Sequence, residues 1–462
     1  MTTPRTTRSH IPTPGALSLT SPRAVSDLTW LGWWNSVSVE VLWALSGAAD
    51  ADLALNSLYR LMVALDNHQG NHDDIDHAIR TDPVFRVRLF ALLGASSVLG
   101  DHLIANPTTW HLLRHDAPTR RDMLRELLGR IGAAPAGLVG DTATDTLDNV
   151  GTYRAAGTGT TCTTIETTLK QTYRTLLMRI AAIDLAGTYP ENSRRVGQPE
   201  VPLGTVTAQL ADLADAALTA ALAVAIRRVY GDNPVESQLA VIAMGKCGAR
   251  ELNYISDVDV VFVAEPADAA ATRVATELIR LGSHCFFEVD AALRPEGKHG
   301  ALVRTLESHV TYYRRWAETW EFQALLKHRP MTGYLPLGRA YSDVISPLVW
   351  QASQRNSFVA DVQAMRRRVL ENVPEAMKHR ELKLGEGGLR DVEFAVQLLQ
   401  LVHGRYDETL RTPATIDALA ALIESGYVGR EDGANLIECY EFLRSLEHRL
   451  QLQKVKRTHT LP

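Results

Sequence analysis

Between Leu28 and Gly140 apolar residues return every three or four positions, as in WWNSVSVEVLWAL and RDMLRELLGRI, the spacing of helices that bury one face. The Thr-, Gly- and Asp-rich stretch GDTATDTLDNVGTYRAAGTGTTCTT then breaks every period and reads as a linker. Helical spacing resumes at IETTLKQTYRTLLMRIAAIDLAG, and VTAQLADLADAALTAALAVAIRRVYG predicts one long helix ended by Gly231. QLAVIAM, DVDVVFV and CFFEVDAAL are short, rich in Val, Ile and Phe, and bounded by turn residues, so they predict strands, with ATRVATELIRLGSH a helix between the last two. Beyond Gly333 the pattern is helical again, in segments joined by short polar loops. The predicted fold class is α+β and mostly helical, a small sheet domain flanked by helical domains. The predicted boundaries are a flexible tail at 1–27, a helical domain at 28–140, a linker at 141–164, the sheet domain at 165–333 and a helical bundle at 334–462.

A length of 462 residues exceeds what one core usually fills, which agrees with several domains. A formal charge of −5 provides no global basic field for nucleic acid or an anionic membrane, so neither is an expected partner. No run reaches the roughly 18 apolar residues of a membrane span, and the N-terminus has no apolar core of a secretory signal. The four cysteines form no CxxC pair, which argues against a zinc site or a disulfide framework and for a reducing cytoplasm.

One strand carries an anomaly. In DVDVVFV, Asp257 and Asp259 stand where apolar side chains belong, and alternation sends both to one face with Val258 and Val260 on the other. Two carboxylates about 4 Å apart repel by roughly 4 kcal/mol at an effective dielectric near 20, and a divalent cation relieves that repulsion. In the third strand Glu288 and Asp290 share a face, and Asp290 completes a three-carboxylate set if the strands are neighbours. Such hard oxygen donors select Mg²⁺ or Mn²⁺, the ions of in-line displacement at phosphorus. Upstream, Gly245 and Gly248 follow a strand and let the backbone approach a phosphate, with Lys246 as a nearby charge. If these acids hold the cation, the expected reaction class is phosphoryl or nucleotidyl transfer.

The stretches GKCGARELNYISDVDVVF, VDAALRPEGKHGAL, WEFQALLKHRPMTG and KLGEGGLRDVEFAVQLLQLVHG resemble, in order, the glutamine synthetase adenylyltransferase/adenylyl-removing enzymes. These are polymerase-β-like nucleotidyltransferases with two tandem catalytic halves. The start and the ending FLRSLEHRLQLQKVKRTHTLP resemble the N-terminal half, which implies removal of AMP from a tyrosine of glutamine synthetase by phosphate, releasing ADP. The resemblance implies Asp257, Asp259 and Asp290 as catalytic metal ligands. It also implies Gly245, Lys246, Gly248, Ser256, Arg294, Lys298, Lys327 and Arg329 as contacts to nucleotide or phosphate, with ADP or ATP as reactants. Adenylylated glutamine synthetase and a PII signal protein are the implied partners. Ala249 and Cys247 depart from the family pattern, where glycine and leucine are common, but neither change removes a ligand.

Beside the activity that the resemblance implies, two alternatives remain open: a transferase that adds adenylyl or uridylyl groups from ATP or UTP to glutamine synthetase or a PII protein, and a non-catalytic PII-binding module. Lys327 and Arg329 have a second reading, as the basic residues of an amphipathic helix whose tryptophans, Trp316 and Trp320, are core. Arg390, Glu393 and Gln397 share a helix face and line a cleft or form a buried polar cluster. His68, His72, Asp73 and His77 look like metal ligands, but Gly70 and Asn71 interrupt the helix that would align them, so a solvated loop is the better reading.

Overall fold

The computed structural model describes residues 10–69, 72–135, 152–156, 162–187, 201–354, 358–371, 373–456 and 458–461. Most of the linker expected at 141–164 and the first nine residues of the expected tail lie outside them. The chain forms two compact units, one of 119–173, 203–451 and 457–462, the other of 1–118, 174–202 and 452–456. This division falls inside the helix Cys162–Gly187, not at the expected linker, and it groups the helices after Gly333 with the sheet.

The larger unit is built on a sheet of five strands: β1 (Gln238–Ala243), β2 (Val258–Glu265), β3 (Val289–Asp290), β4 (Val303–Arg304) and β5 (Arg329–Gly333). The order is β3-β2-β1-β5, with β4 on the same edge of β2 as β3. β1 is antiparallel to both neighbours, whereas β2 runs parallel to β3 and β4. The expected strand CFFEVDAAL shrinks to Val289–Asp290 because the preceding helix runs on to Cys285. β5 is absent from the sequence prediction because Pro330 interrupts it; the proline sits where the β1–β5 register shifts, at a sheet edge that tolerates a missing amide.

Helices cover both faces. Ala240, Ile242, Val261 and Val263 pack with Tyr313, Phe322, Leu325, Tyr341 and Ile345 from α4 (Leu306–Arg315), α5 (Thr319–Leu325) and α6 (Leu335–Trp350). On the opposite face Val241, Val258, Val260 and Phe262 are equally buried. The strands therefore read as near-continuous apolar runs rather than alternating ones. The helices α1 (Leu203–Tyr230), α2 (Gly245–Gly248) and α3 (Ala269–Cys285) precede these in the chain, and α7 (Phe358–Glu371), α8 (Leu389–His403) and α9 (Arg430–Lys454) follow them.

By length and composition α1 is apolar enough to cross a membrane, contrary to the expectation from the sequence, and 89% of its apolar window is buried inside the structure. It is a core helix, hydrophobic all round, and Asp215 within it is fully buried. Arg329 of β5 pairs with that carboxylate through two bonds of 2.8 and 2.9 Å, and Arg120 Nη2 approaches it at 3.4 Å.

In the smaller unit, helices at Ala24–Trp30, Val39–Ser46, Ala51–Gln69, Asp73–Thr81, Pro83–Ala95 and Ser97–Ala105 follow the predicted spacing. Residues 10–27 are not a free tail. Leu17, Leu19 and Ala24 are buried, and Thr20 and Ser21 donate to the carboxylate of Asp52. His72 bonds Asp66 at 2.8 Å, and no metal-binding group forms around it among the described residues.

Candidate active site

β2 begins at Val258, so Asp257 immediately precedes the strand and Asp259 is its second residue. The acids share a face with Val261 and Val263, which the helices cover, but they stand at the strand's start, where that cover opens into a cleft. The cleft, of about 410 Å³, is lined among others by Gly245, Lys246, Ser256, Asp257, Asp259 and Lys327. Asp259 lies in register beside Asp290 on parallel β3, so the neighbouring strands expected from the sequence do bring these two acids together. Glu288, by contrast, is exposed.

The acids repel one another. Burial, then Asp290 and Asp257, push the Asp259 carboxyl up to about 6 from its ordinary 3.8, against the pull of Arg390 and Lys383. A carboxyl raised in the folded state favours folding while protonated. Its contribution is complete below the unfolded value of 3.8 and is lost as pH rises through about 6. Without divalent cation, thermal stability should therefore fall across this window, by about 1.4 kcal/mol per pH unit at most, and Asp259→Asn should flatten the slope. Parallel melts of the two proteins in EDTA from pH 4 to 7 check this, and equal slopes would show that Asp259 is not so perturbed.

Among the described residues no three His, Cys, Asp or Glu side chains are already drawn into a metal cage, and one oxygen of Asp290 accepts from the Ala292 amide at 2.7 Å. The fit to a divalent cation rests on the donors themselves. They are hard carboxylate oxygens whose mutual repulsion a cation would remove, and the buried Asn253 Oδ1 on the same wall has no hydrogen-bond partner.

The glycine turn carries two separate requirements. Gly245 has φ +53°, and a Cβ there would lie 2.7 Å from Asp259 Oδ2, so glycine lets the acid pass close to the turn. A Cβ on Gly248 would fall 1.7 Å from the Lys327 carbonyl oxygen; this glycine serves the packing of α2 on the chain entering β5, and it is not among the cleft-lining residues. Lys246 lines the cleft and reaches Glu447 of α9 at 3.4 Å. Burial, reinforced by Arg444, pulls its ammonium down to about 7 against the attraction of Glu447 and Glu393.

Four of the expected phosphate contacts are otherwise engaged or placed. Lys327 is buried and donates to Glu251 Oε2 at 2.7 Å and to Thr415 Oγ1 at 3.0 Å, so it borders the cleft with its charge already paired. Arg329 is the partner of Asp215 and also donates to the carbonyls of Cys247 and Gly248, which fixes α2 rather than a ligand. Arg294 closes its own loop on the carbonyls of Ala291, Lys298 and Gly300. Lys298 is exposed and does not line the cleft. The tryptophans expected in the core are not there: Trp316 is 70% exposed, and Trp320 forms part of the cleft wall.

The helical segments supply the cations that the strands lack. Arg390, Glu393 and Gln397 of α8 all line the cleft; half-exposed Arg390 donates to buried Glu393 at 3.0 Å, and Gln323 Nε2 donates to buried Gln397 Oε1 at 2.7 Å. Lys383 and His459 join the lining; His459 reaches Glu447 at 2.8 Å, and its carbonyl accepts from the Leu382 amide at 2.7 Å. Lys383 precedes the glycines of KLGEGGLRD, and nothing in its local sequence marks it as a cleft residue. His459 has no motif around it, and only the return of the chain after α9 brings it here.

Residues 155–342 match the family model described as glutamate-ammonia ligase adenylyltransferase, and residues 363–462 match that described as GlnD PII-uridylyltransferase. The chain is 62% identical over 98% of its length to a bifunctional glutamine synthetase adenylyltransferase/adenylyl-removing enzyme of Corynebacterium efficiens, covering 44% of that protein. Relatives of the same name from Nocardia farcinica and Mycolicibacterium smegmatis are 59% and 53% identical over 100% and 99% of the chain, again covering 44% of each. The chain thus spans less than half the length of these relatives. At this identity over almost its whole length, the chain is similar to the N-terminal half of the glutamine synthetase adenylyltransferase/adenylyl-removing enzymes, and its residues 155–342 carry the glutamate-ammonia ligase adenylyltransferase match.

Proposed function

We propose that this chain removes the adenylyl group from a tyrosine of adenylylated glutamine synthetase by phosphorolysis. A phosphate oxygen bonds to the adenylyl phosphorus, the bond from that phosphorus to the tyrosine oxygen breaks, ADP leaves, and the tyrosine phenolate takes up a proton. The observation that carries the reading is one cleft lined by Asp257 and Asp259 together with Lys246, Lys383 and Arg390, with Asp290 in register beside Asp259 and repelling it. Asp257, Asp259 and Asp290 would hold Mg²⁺ or Mn²⁺, which when bound supplies charge stabilisation at the reacting phosphoryl oxygens. Lys383 and Arg390, which line the same cleft, would bind the two anionic groups that the reaction brings together. Lys246, whose ammonium gives up its proton near pH 7, can meet a phosphate oxygen as a cation or deliver the proton that the departing phenolate needs.

The relatives' name includes adenylyl removal, and the match of residues 363–462 to a PII-uridylyltransferase model supports a PII-type signal protein as the regulatory partner. Magnesium, phosphate, ADP and a cytoplasmic location belong to the same proposal. The test is to incubate the chain with adenylylated glutamine synthetase, Mg²⁺ and phosphate. ADP and unmodified synthetase are expected, with no turnover when phosphate is left out. Transfer of label from ATP or UTP to unmodified protein, with no ADP formed from the adenylylated substrate, would replace the reading with its reverse.

A further inference from the structure

One end of the cleft has a chemistry that neither the acids nor the cations use. Leu293, Trp320, Ala324, Met365 and Phe394 form an apolar wall, and at its side stand two buried amides, Gln323 of α5 and Gln397 of α8, only 5% and 7% exposed. They bond one another at 2.7 Å, Gln323 Nε2 donating to Gln397 Oε1. This leaves Gln323 Oε1 buried on the cleft wall without a donor. A buried acceptor in that state is costly unless a ligand completes it.

Two amides joined by a single hydrogen bond always leave one oxygen and one NH₂ group outside the bond, whichever way both are turned. Both residues line the cleft together with apolar and aromatic side chains, so one spare acceptor and one spare donor belong to its wall. A heteroaromatic base satisfies all three at once, by stacking on the wall while its edge meets the amides. A tyrosine ring has no such edge, since its only polar atom carries the adenylyl group in the substrate.

We propose that the Gln323–Gln397 pair is the base-recognition element of this site, with Gln323 Oε1 accepting a hydrogen bond from the 6-amino group of adenine. Gln397 is then both the anchor that fixes the Gln323 amide and the donor to an adenine ring nitrogen. The adenine stacks on the wall formed with Trp320 and Phe394, and the phosphates extend towards Asp257 and Asp259. The identity of the base rests on the adenylyl reading above. The existence of a base site rests on the orphan acceptor and the apolar wall.

Direct binding to the chain separates this inference from the function reading. Calorimetric titration in Mg²⁺ buffer with ADP and with purine riboside 5′-diphosphate, which lacks the 6-amino group, should show the wild type favouring ADP by about tenfold, the effect of one buried hydrogen bond. Gln323→Leu should lose that preference while holding the amino-free analogue about as well as before. Gln397→Leu, which releases the Gln323 amide, should weaken the preference in the same way and serves if the first variant does not fold. Equal binding of the two ligands by wild type, binding of neither, or a preference that survives in the folded variants overturns the inference. A preference of the expected kind in a chain that forms no ADP from adenylylated glutamine synthetase would sink the phosphorolysis reading alone.

Discussion

Replacing Asp257 and Asp259 together with asparagine should reduce phosphorolysis by roughly 10³-fold or more while leaving the protein folded. The size of the loss follows from removing two of the three groups placed to hold the cation. The folding outcome follows from the same electrostatics with opposite sign. At neutral pH the ionised Asp259 is buried beside two like charges, so an uncharged amide relieves repulsion that the fold otherwise carries. The variant's melting temperature at pH 7 without metal should match or exceed that of wild type. Activity retained in the variant, or activity lost together with its melting transition, would contradict this assignment.

The largest stability effect is expected at Arg329. Arg329→Met leaves Asp215, fully buried in the core helix α1, with only the more distant Arg120, and it releases the carbonyls of Cys247 and Gly248 at the glycine turn. Removing one partner of a buried pair typically costs about 3–5 kcal/mol. Although burial works against the charge, Asp215 holds the Arg329 guanidinium above its ordinary value. Arg329→Lys should recover little, because an ammonium cannot form the two-bonded fork. Denaturant unfolding of the three proteins measures the effect. A variant of wild-type stability that had lost only nucleotide affinity would restore the phosphate-binding role that the sequence resemblance implies.

The contrast between these two sites shows what the sequence could and could not reveal. Alternation along DVDVVFV was enough to place Asp257 and Asp259 on one face, and the register of β2 with β3 brings Asp290 beside Asp259. Polar residues in an apolar strand are legible because burial there requires a reason. Lys327 and Arg329 were ambiguous because a basic residue near a phosphate motif looks the same whether it meets a ligand or a carboxylate far away in the chain. Their partners, Glu251 and Asp215, are 76 and 114 residues distant, and nothing local announces them. The same holds for Lys383 and His459, which reach the cleft only through the packing of segments beyond α7. Strand β5 escaped for a local reason, since Pro330 is the residue that normally argues against a strand.

The most direct test of the central claim follows the phosphate itself. With ³²P-labelled inorganic phosphate, Mg²⁺ and adenylylated glutamine synthetase, the label should appear in ADP at the β-position, one label for each tyrosine released. Unlabelled AMP as the product would mean that water is the nucleophile, and a reaction indifferent to phosphate would contradict phosphorolysis in this cleft.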